Sequence, residues 1–456
     1  MWYPKSINTN QALYKAIADA MEKDIHQGIL NAGDKLPPQR KLADLIGVNL
    51  TTITRAYQEA SNRNLIETRK GDGTYVRNIH AGTLNRITNA PLLELGLVNP
   101  GTSDLQPIMD ALKKISSESA HLDIFGYVES QGLKRHRETA AKWFVQYGFR
   151  NVLSDQIVIT SGAMNAINCV LSSLFQKDDI IATDSLTFAG FIHSAKMHGI
   201  HLIPIDSDHE GMCPEKLEQV CNTHKIKGIY LMPNMQNPTA KNMTDVRKRL
   251  LSEVIEKHNL LLIEDDIFAF TNLESNTALA SLIPNQSIYI CGISKLLYPG
   301  LRIAFVKVPD RFLNDFIDAL VHTVWMASPI SSEILNLLIS QGDIHRVSAS
   351  MRSTISKRQS LARMYLKPYV LSDNLESMYL WLQLPANWEC DVFERFALRQ
   401  GVNVFSASKF FVGNVKPPNA IRIALTTEQD EARFEEGLSR IANLLTSFPS
   451  TENAIM

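Results

Sequence analysis

The sequence predicts an α/β protein in two unlike parts: a small helical unit closed by a β-hairpin, then a much larger unit whose mainly parallel sheet is covered by helices. Three observations predict it. Residues 10–28 carry Leu13, Ile17, Met21 and Ile25 four apart between charged neighbours, the stripe of an amphipathic helix. The segment "IETRKGDGTYVR" alternates Ile66, Thr68 and Val76 with charged residues around Gly71-Asp72-Gly73, which has the backbone freedom of a tight turn. From about residue 93, short apolar runs alternate with longer helical patterns, as strands and covering helices do. A chain of 456 residues exceeds one ordinary core, and about three structural units are expected of it.

The small unit reads in order. In "GDKLPPQRKLADLIGVNLTTITRAYQEASNRNLI", Leu42, Leu45 and Ile46 mark a short helix and Gly47 breaks it. Ile53, Ala56, Tyr57 and Ala60 then give a second helix an inner face. That is a helix-turn-helix with the hairpin as its wing, and here the first residues of the second helix reach base edges. The outward candidates are Asn49, Leu50, Thr51, Thr52 and Arg55. Arg40 can reach phosphate from the preceding helix, and Arg69, Lys70 and Gly73 belong to the wing. Over the whole chain 46 Lys and Arg nearly cancel 47 Asp and Glu. Between Lys35 and Arg77, eight basic residues face four acidic ones, so +4 is concentrated here against −5 in the remainder. The stretch resembles the winged helix-turn-helix domain of the GntR family of bacterial regulators. Leu36-Pro37, Arg40, Leu42-Ala43, Gly47-Val48, Thr52, Arg55-Ala56-Tyr57, Leu65-Ile66 and Gly71-x-Gly73-Thr74 stand where that family has them. Leu50 departs from it, since many members are basic there. The resemblance implies double-stranded operator DNA as a partner.

Bulk properties set the frame. Five cysteines, Cys169, Cys213, Cys221, Cys291 and Cys390, have neither metal-ligand spacing nor the density of a secreted framework, which predicts reduced thiols and no metal site. The opening "MWYPKSINTNQ" lacks an apolar signal region, and no run approaches the roughly 20 apolar residues of a membrane span, so a cytoplasmic protein is expected. Residues 78–92 show no sustained period and predict a linker. The expected organisation is therefore a winged domain over 1–77, a linker over 78–92 and a ligand domain over 93–456, with a small subdomain formed mainly by about 325–445.

Ligands of open α/β sheets gather at the carboxyl ends of strands, so the residues after each apolar run matter most. "QIVIT" leads into Ser161-Gly162-Ala163-Met164, a loop that can offer backbone N–H groups and a helix start to phosphate. "KGIYLM" leads to Asn237-Pro238-Thr239, "NLLLI" ends in Glu264-Asp265-Asp266, and "SIYI" runs into Cys291 to Lys295. Singly, each is an ordinary turn, cap or surface residue. In this order they describe a pocket for pyridoxal 5′-phosphate. The lysine forms a Schiff base with the aldehyde, and the carboxylate keeps the ring nitrogen protonated. Arg302, seven residues after Lys295, can give the phosphate a two-pronged partner.

Residues 93–445 resemble the fold-type I pyridoxal-phosphate enzymes of the aspartate aminotransferase family, and the whole chain resembles the MocR-type regulators. The resemblance makes Lys295 the Schiff-base lysine and Asp265 the ring-nitrogen partner. Asn237 would bond the ring's 3′ oxygen, and Arg302 would hold phosphate with the Ala163 and Met164 backbone. Ser294 would offer a hydroxyl beside the lysine, Phe188 would stack on the ring, and Arg422 in "NAIRIAL" would take an effector or substrate carboxylate. The sequence departs from ordinary transaminases in having Ile267 and Phe268 where a tyrosine is usual, Gly292 for a hydroxyl, Ala240 for a glycine and Met164 for a glutamine. Losing the tyrosine removes a donor to the 3′ oxygen and weakens proton transfer. The expected function is a homodimeric transcriptional regulator that senses pyridoxal phosphate or an amino compound. The alternative is an active aminotransferase carrying a DNA-binding domain.

Overall fold

A computed structural model describes residues 2–4, 12–26, 29–30, 34–63, 65–69, 73–76, 92–100, 105–117, 119–271, 277–413 and 415–447. The chain divides into two compact units, one including Met1–Leu92 and the other Leu93–Phe448.

In the first unit, helices α1 (Leu13–His26), α2 (Gln39–Ile46) and α3 (Leu50–Asn62) precede the antiparallel strands β1 (Ile66–Arg69) and β2 (Gly73–Val76). Ile17, Met21, Leu42, Ile53, Ala56, Tyr57, Ala60, Ile66 and Val76 form one core. Two leucines that the periodicity places inward are exposed, Leu13 at 38% and Leu45 at 52%. Leu13 stands in the first turn of α1. On α2 the inner face runs through Leu42, Ala43 and Ile46, which puts Leu45 about 100° from its centre. Gly47 ends α2 in the left-handed region, its N–H bonding back to Ala43, and Asn49 caps α3 by accepting from the Thr51 N–H at 2.9 Å. Arg63 fastens α3 to α1 through Glu59, Asp19 and Glu22, so that cation of the basic segment is spent inside the unit. The linker prediction falls on residues of which only Leu92 is described.

The second unit opens with a two-residue strand, β3 (Leu93–Glu94), followed by α4 (Gln106–Ser117) and α5 (Lys134–Phe144). Strand and helix then alternate: β4 (Ile157–Thr160), α6 (Ala163–Leu174), β5 (Ile180–Asp184), α7 (Ala189–Met197), β6 (His201–Ile205), the hairpin β7 (Ser207–Asp208) and β8 (Gly211–Met212), and α8 (Pro214–Thr223). There follow β9 (Ile226–Leu231), α9 (Asp245–Lys257), β10 (Leu261–Asp265), β11 (Ser287–Gly292) and β12 (Ala304–Lys307). The central sheet runs β4-β12-β11-β10-β9-β5-β6. Only β12 runs against its neighbours in it, which brings the carboxyl ends of β4, β5, β9, β10 and β11 to one edge. These strands are almost wholly buried, as sheets covered on both faces require.

Helices α10 (Asp310–Val324), α11 (Pro329–Ser340) and α12 (Asp343–Leu366) lead to a second sheet. It contains β13 (Tyr379–Gln383), β15 (Phe405–Ser406) and β16 (Ala420–Ala424), with α13 (Cys390–Arg399), β14 (Val402–Asn403) and α14 (Glu431–Thr446) around it. The core behind this sheet also takes Leu93 and Leu95, because β3 pairs with β14. The start of the unit is thereby laid against its end, and residues 93–100 pass beside the strand ends of the main sheet.

Candidate functional site

Two strands and a loop bring the central lysine into place. β11 ends at Gly292, and the chain turns through Lys295 before returning as β12, the turn closed where the Ile293 N–H bonds Ile303. Lys295 is mostly buried and donates to the carbonyl of Val98. Burial disfavours its charged form, the nearby Arg422 and Arg302 add repulsion, and the amine is lowered to about 8 from its ordinary 10.5. The apolar setting of the sequence motif therefore has a chemical consequence: an unusually large share of this lysine is neutral and nucleophilic.

Arg302 sits in a left-handed conformation just before β12 and donates to the Ser294 hydroxyl at 3.3 Å. Its guanidinium lies against Gly162, the residue capping α6: a Cβ there would come within 2.6 Å of Nη2. Only glycine lets the arginine approach the helix start, where the Ala163 and Met164 N–H groups stand in the first turn. Ser294, Arg302 and the opening turn of α6 thus share one place, with the chemistry of an anion cradle. Phe188, half-buried, caps α7 and crowds Gly190 together with the Met164 sulfur.

Glu264 and Asp265, which close β10, and Asp266 just after it are all buried but have different partners. Glu264 accepts from the Leu279 and Ala280 N–H groups. Asp266 accepts from Asn234 and Tyr289, with Lys248 behind the asparagine. Asp265 accepts at Oδ2 from the Tyr230 hydroxyl, 2.7 Å away, and its Oδ1 has no partner among the described residues. Burial pushes Asp265 up to about 7, against the lowering effect of Tyr230. Such a carboxyl needs a donor, and a protonated ring nitrogen is one.

Arg422 projects from the middle of β16 and is buried. It donates to Asn237 Oδ1 and the Gly96 carbonyl, each at 2.6 Å, while the rings of Phe410, Phe405 and Tyr379 surround the guanidinium at 4.8, 5.3 and 5.5 Å. Burial lowers it to about 10, and its Nε has no partner among the described residues. Asn237, whose bond to Pro238 is cis, thereby spends its oxygen on Arg422 and keeps an NH2 group to donate.

Lys295, Arg302, Ser294, Ala163, Met164, Asp265, Asn237 and Phe188 lie at this end of the main sheet, and Arg422 reaches it from the central strand of the second sheet. Ile267 fills the space over Gly292, where a Cβ would meet its Cγ2 at 2.5 Å. Phe268 packs edge-on to Tyr379. Three features are absent from the motif reading: Tyr230, the Gly96 and Val98 carbonyls, and the aromatic rings around Arg422. Tyr230 carries a faint sequence signal as a phenol inside the aliphatic run of β9. The carbonyls carry none, since any residue supplies one.

On the winged unit, Arg40, Asn49, Thr51 and Arg55 are exposed along α2 and the start of α3, and Thr52 is half-buried. Gly73 opens β2, where a Cβ would lie 2.7 Å from Lys35 Cε. Arg69 ends β1, and Lys70 lies outside the described residues.

Residues 92–441 match the family described as aminotransferase class I and II, and residues 13–76 match the gntR family of bacterial regulatory proteins. An uncharacterized HTH-type transcriptional regulator of Bacillus subtilis, YdeF, is 32% identical over 97% of this chain and 96% of its own. The chain belongs to the GntR-type transcriptional regulators that carry an aminotransferase class I and II domain. Two further members are the vitamin B6 salvage pathway transcriptional repressor PtsJ of Salmonella typhimurium and the probable rhizopine catabolism regulatory protein MocR of Rhizobium meliloti. PtsJ is 25% identical over 91% of this chain and 94% of its own; MocR is 22% identical over 96% and 95%. The second unit of this MocR-like regulator has the fold of Pyrococcus horikoshii kynurenine aminotransferase, with a TM-score of 0.72 at 23% identity over 78% of this chain and 91% of that one. Among its described residues no helix is long and apolar enough to cross a membrane.

Proposed function

We propose that this regulator binds pyridoxal 5′-phosphate at the end of β11 and operator DNA through its winged unit, and that a bound amino compound changes the second through the first. One observation carries the reading: a single lysine, lowered to about 8, stands beside two arginines where strand ends and a helix start converge. Bound there, the cofactor supplies an aldehyde and an electron-accepting pyridine ring. Lys295 offers the amine that fixes it covalently. Arg302, Ser294 and the first N–H groups of α6 hold the phosphate, Asp265 Oδ1 holds the proton at the ring nitrogen, Asn237 donates to the 3′ oxygen, and Phe188 covers the ring. Arg422 receives a carboxylate, exchanging the Gly96 carbonyl for a charged partner.

Regulation is favoured over turnover by the residues around the 3′ oxygen. Ile267 and Phe268 bring no hydroxyl, and the phenols of Tyr230 and Tyr379 are bonded to Asp265 and the Met235 carbonyl. The vitamin B6 repressor among the relatives supports a cofactor-linked signal. A cytoplasmic homodimer would set two winged units on two half-sites. Ligand control then requires that the two arrangements of the protein bind the ligand unequally.

The test is direct. Supplied with pyridoxal phosphate, wild-type protein should gain a visible absorbance band and, after hydride reduction, an adduct on Lys295 by mass spectrometry; Lys295→Ala should gain neither. An unaltered spectrum in the variant excludes this lysine. Repeated turnovers with an amino donor and a keto acid would return the protein to the enzymes.

A further inference from the structure

Tyr230 is the last residue but one of β9, paired in register with Ile263 of β10, inside the apolar run that precedes Asn237 and not among the polar residues that follow it. Its ring is stacked on Phe191 of α7 at 3.7 Å and 6°, so it cannot swing without disturbing the helix that also carries Phe188 at its cap. Its hydroxyl is the donor to Asp265 Oδ2 at 2.7 Å, and both residues are almost wholly inaccessible. The terminal torsion of an aspartate is broad and nearly two-fold, so an unrestrained carboxyl samples many directions. Fixing one oxygen with a rigid phenol fixes the other. The oxygen left over, Oδ1, is the one without a partner among the described residues.

We propose that Tyr230 is the positioning residue of Asp265, pinning Oδ2 so that Oδ1 alone is presented to the ring nitrogen of pyridoxal phosphate. This deepens the cofactor reading and rests on it. The donor also stabilises the ionised carboxyl, the form that accepts the ring's proton, and does so where water cannot substitute. Tyr230 touches no cofactor atom in this scheme; its effect passes entirely through Asp265.

Tyr230→Phe keeps the ring and the stack on Phe191 and removes one hydroxyl. Cofactor affinity, followed by absorbance titration, should fall by up to roughly tenfold, less than for a hydrogen bond made only on binding, because the Tyr230–Asp265 bond already exists without the cofactor. The absorption maximum of the bound cofactor should also shift as the ring nitrogen loses its partner. The double variant with Asp265→Asn separates positioning from bulk structure: on that background the tyrosine change should add less than about twofold. Wild-type affinity and spectrum in Tyr230→Phe overturn the proposal. So does a full loss that persists with Asn at 265, since the tyrosine would then act on the fold and not on the carboxyl. If wild-type protein itself takes up no cofactor, the pocket reading fails and this proposal with it. A normal wild-type spectrum with an unaffected tyrosine variant sinks the positioning role alone.

Discussion

The two units gather cations in opposite surroundings. On the winged unit Arg40 and Arg55 stand in solvent along α2 and α3. In the ligand unit Lys295 and Arg422 are enclosed, and burial lowers the proton affinity of both. Exposed cations are cheap to collect, but each adds a small, salt-screened increment. Buried cations are costly unless their surroundings compensate. Arg422 shows the compensation: two carbonyl-type oxygens and three aromatic faces hold one guanidinium. One site should therefore fail sharply when a single group is changed, and the other should weaken by degrees.

After the complete loss expected of Lys295→Ala, the largest effect is in the pH dependence of the same lysine. The neutral amine is the reactive form, so the rate of cofactor capture rises with pH until the amine has lost its proton. With the amine lowered to about 8, the rate should climb from pH 6 and flatten above pH 8, instead of climbing towards 10.5. At neutral pH this makes the neutral fraction over a hundredfold greater than for an exposed lysine. A stopped-flow profile still rising steeply at pH 9.5 would show that burial leaves this amine unperturbed.

Next comes Arg422→Ala. It leaves Asn237 Oδ1 and the Gly96 carbonyl buried without their donor, at a cost of about 2–5 kcal/mol of stability. Response to a carboxylate-bearing amine should vanish while cofactor absorbance persists at reduced occupancy. Retention of that response would make Arg422 a purely structural cation.

By contrast, Arg55→Ala should weaken operator binding only about tenfold, with stability and cofactor spectra unchanged. Titrations at several salt concentrations would test whether the log–log salt slope drops by about one. Equal affinity for wild type and variant would remove the start of α3 from the DNA interface.

The same contrast explains what the sequence disclosed. Exposed chemistry is additive, so counting charges between Lys35 and Arg77 locates the basic segment, though Arg63 proves to be consumed by Glu59, Asp19 and Glu22. In the second unit, apolar runs followed by polar residues are legible as strand ends, and they bring Asp265, Asn237 and Lys295 forward as candidates, which the fold places at one end of the sheet. The placing of residues 93–98 beside Lys295 and Arg422 does not follow from such runs. It depends on β3 pairing with β14 across some 300 residues of sequence, and the groups it delivers are main-chain carbonyls. Likewise the inward face of a two-turn helix is too short to average out errors, which is why the periodicity places Leu45 inside while it lies outside.

The smallest expected effects come from a matched pair in the two units, where backbone geometry is common and the side chain differs. Gly47 ends α2 at φ 69°, and Ala240 follows the Asn237-Pro238-Thr239 turn at φ 62°. Nothing lies within 4 Å of a Cβ built at Gly47, so Gly47→Ala meets only the backbone penalty of the left-handed region and should lose about 1 kcal/mol. At Ala240 that penalty is already carried by the native residue. Ala240→Gly relieves roughly 1–2 kcal/mol of it and gives back about 1 kcal/mol through the freer unfolded chain, for a net gain of at most about 1 kcal/mol. Urea midpoints at unchanged m-value would measure both changes. Opposite signs would mean that the turn beside the pocket retains its shape against its own residue's preference, held by the Gln236 carbonyl bonded to the Ala240 N–H and by Asn374 on its oxygen. A loss at both positions would mean that the Ala240 methyl contributes packing worth more than the strain it brings.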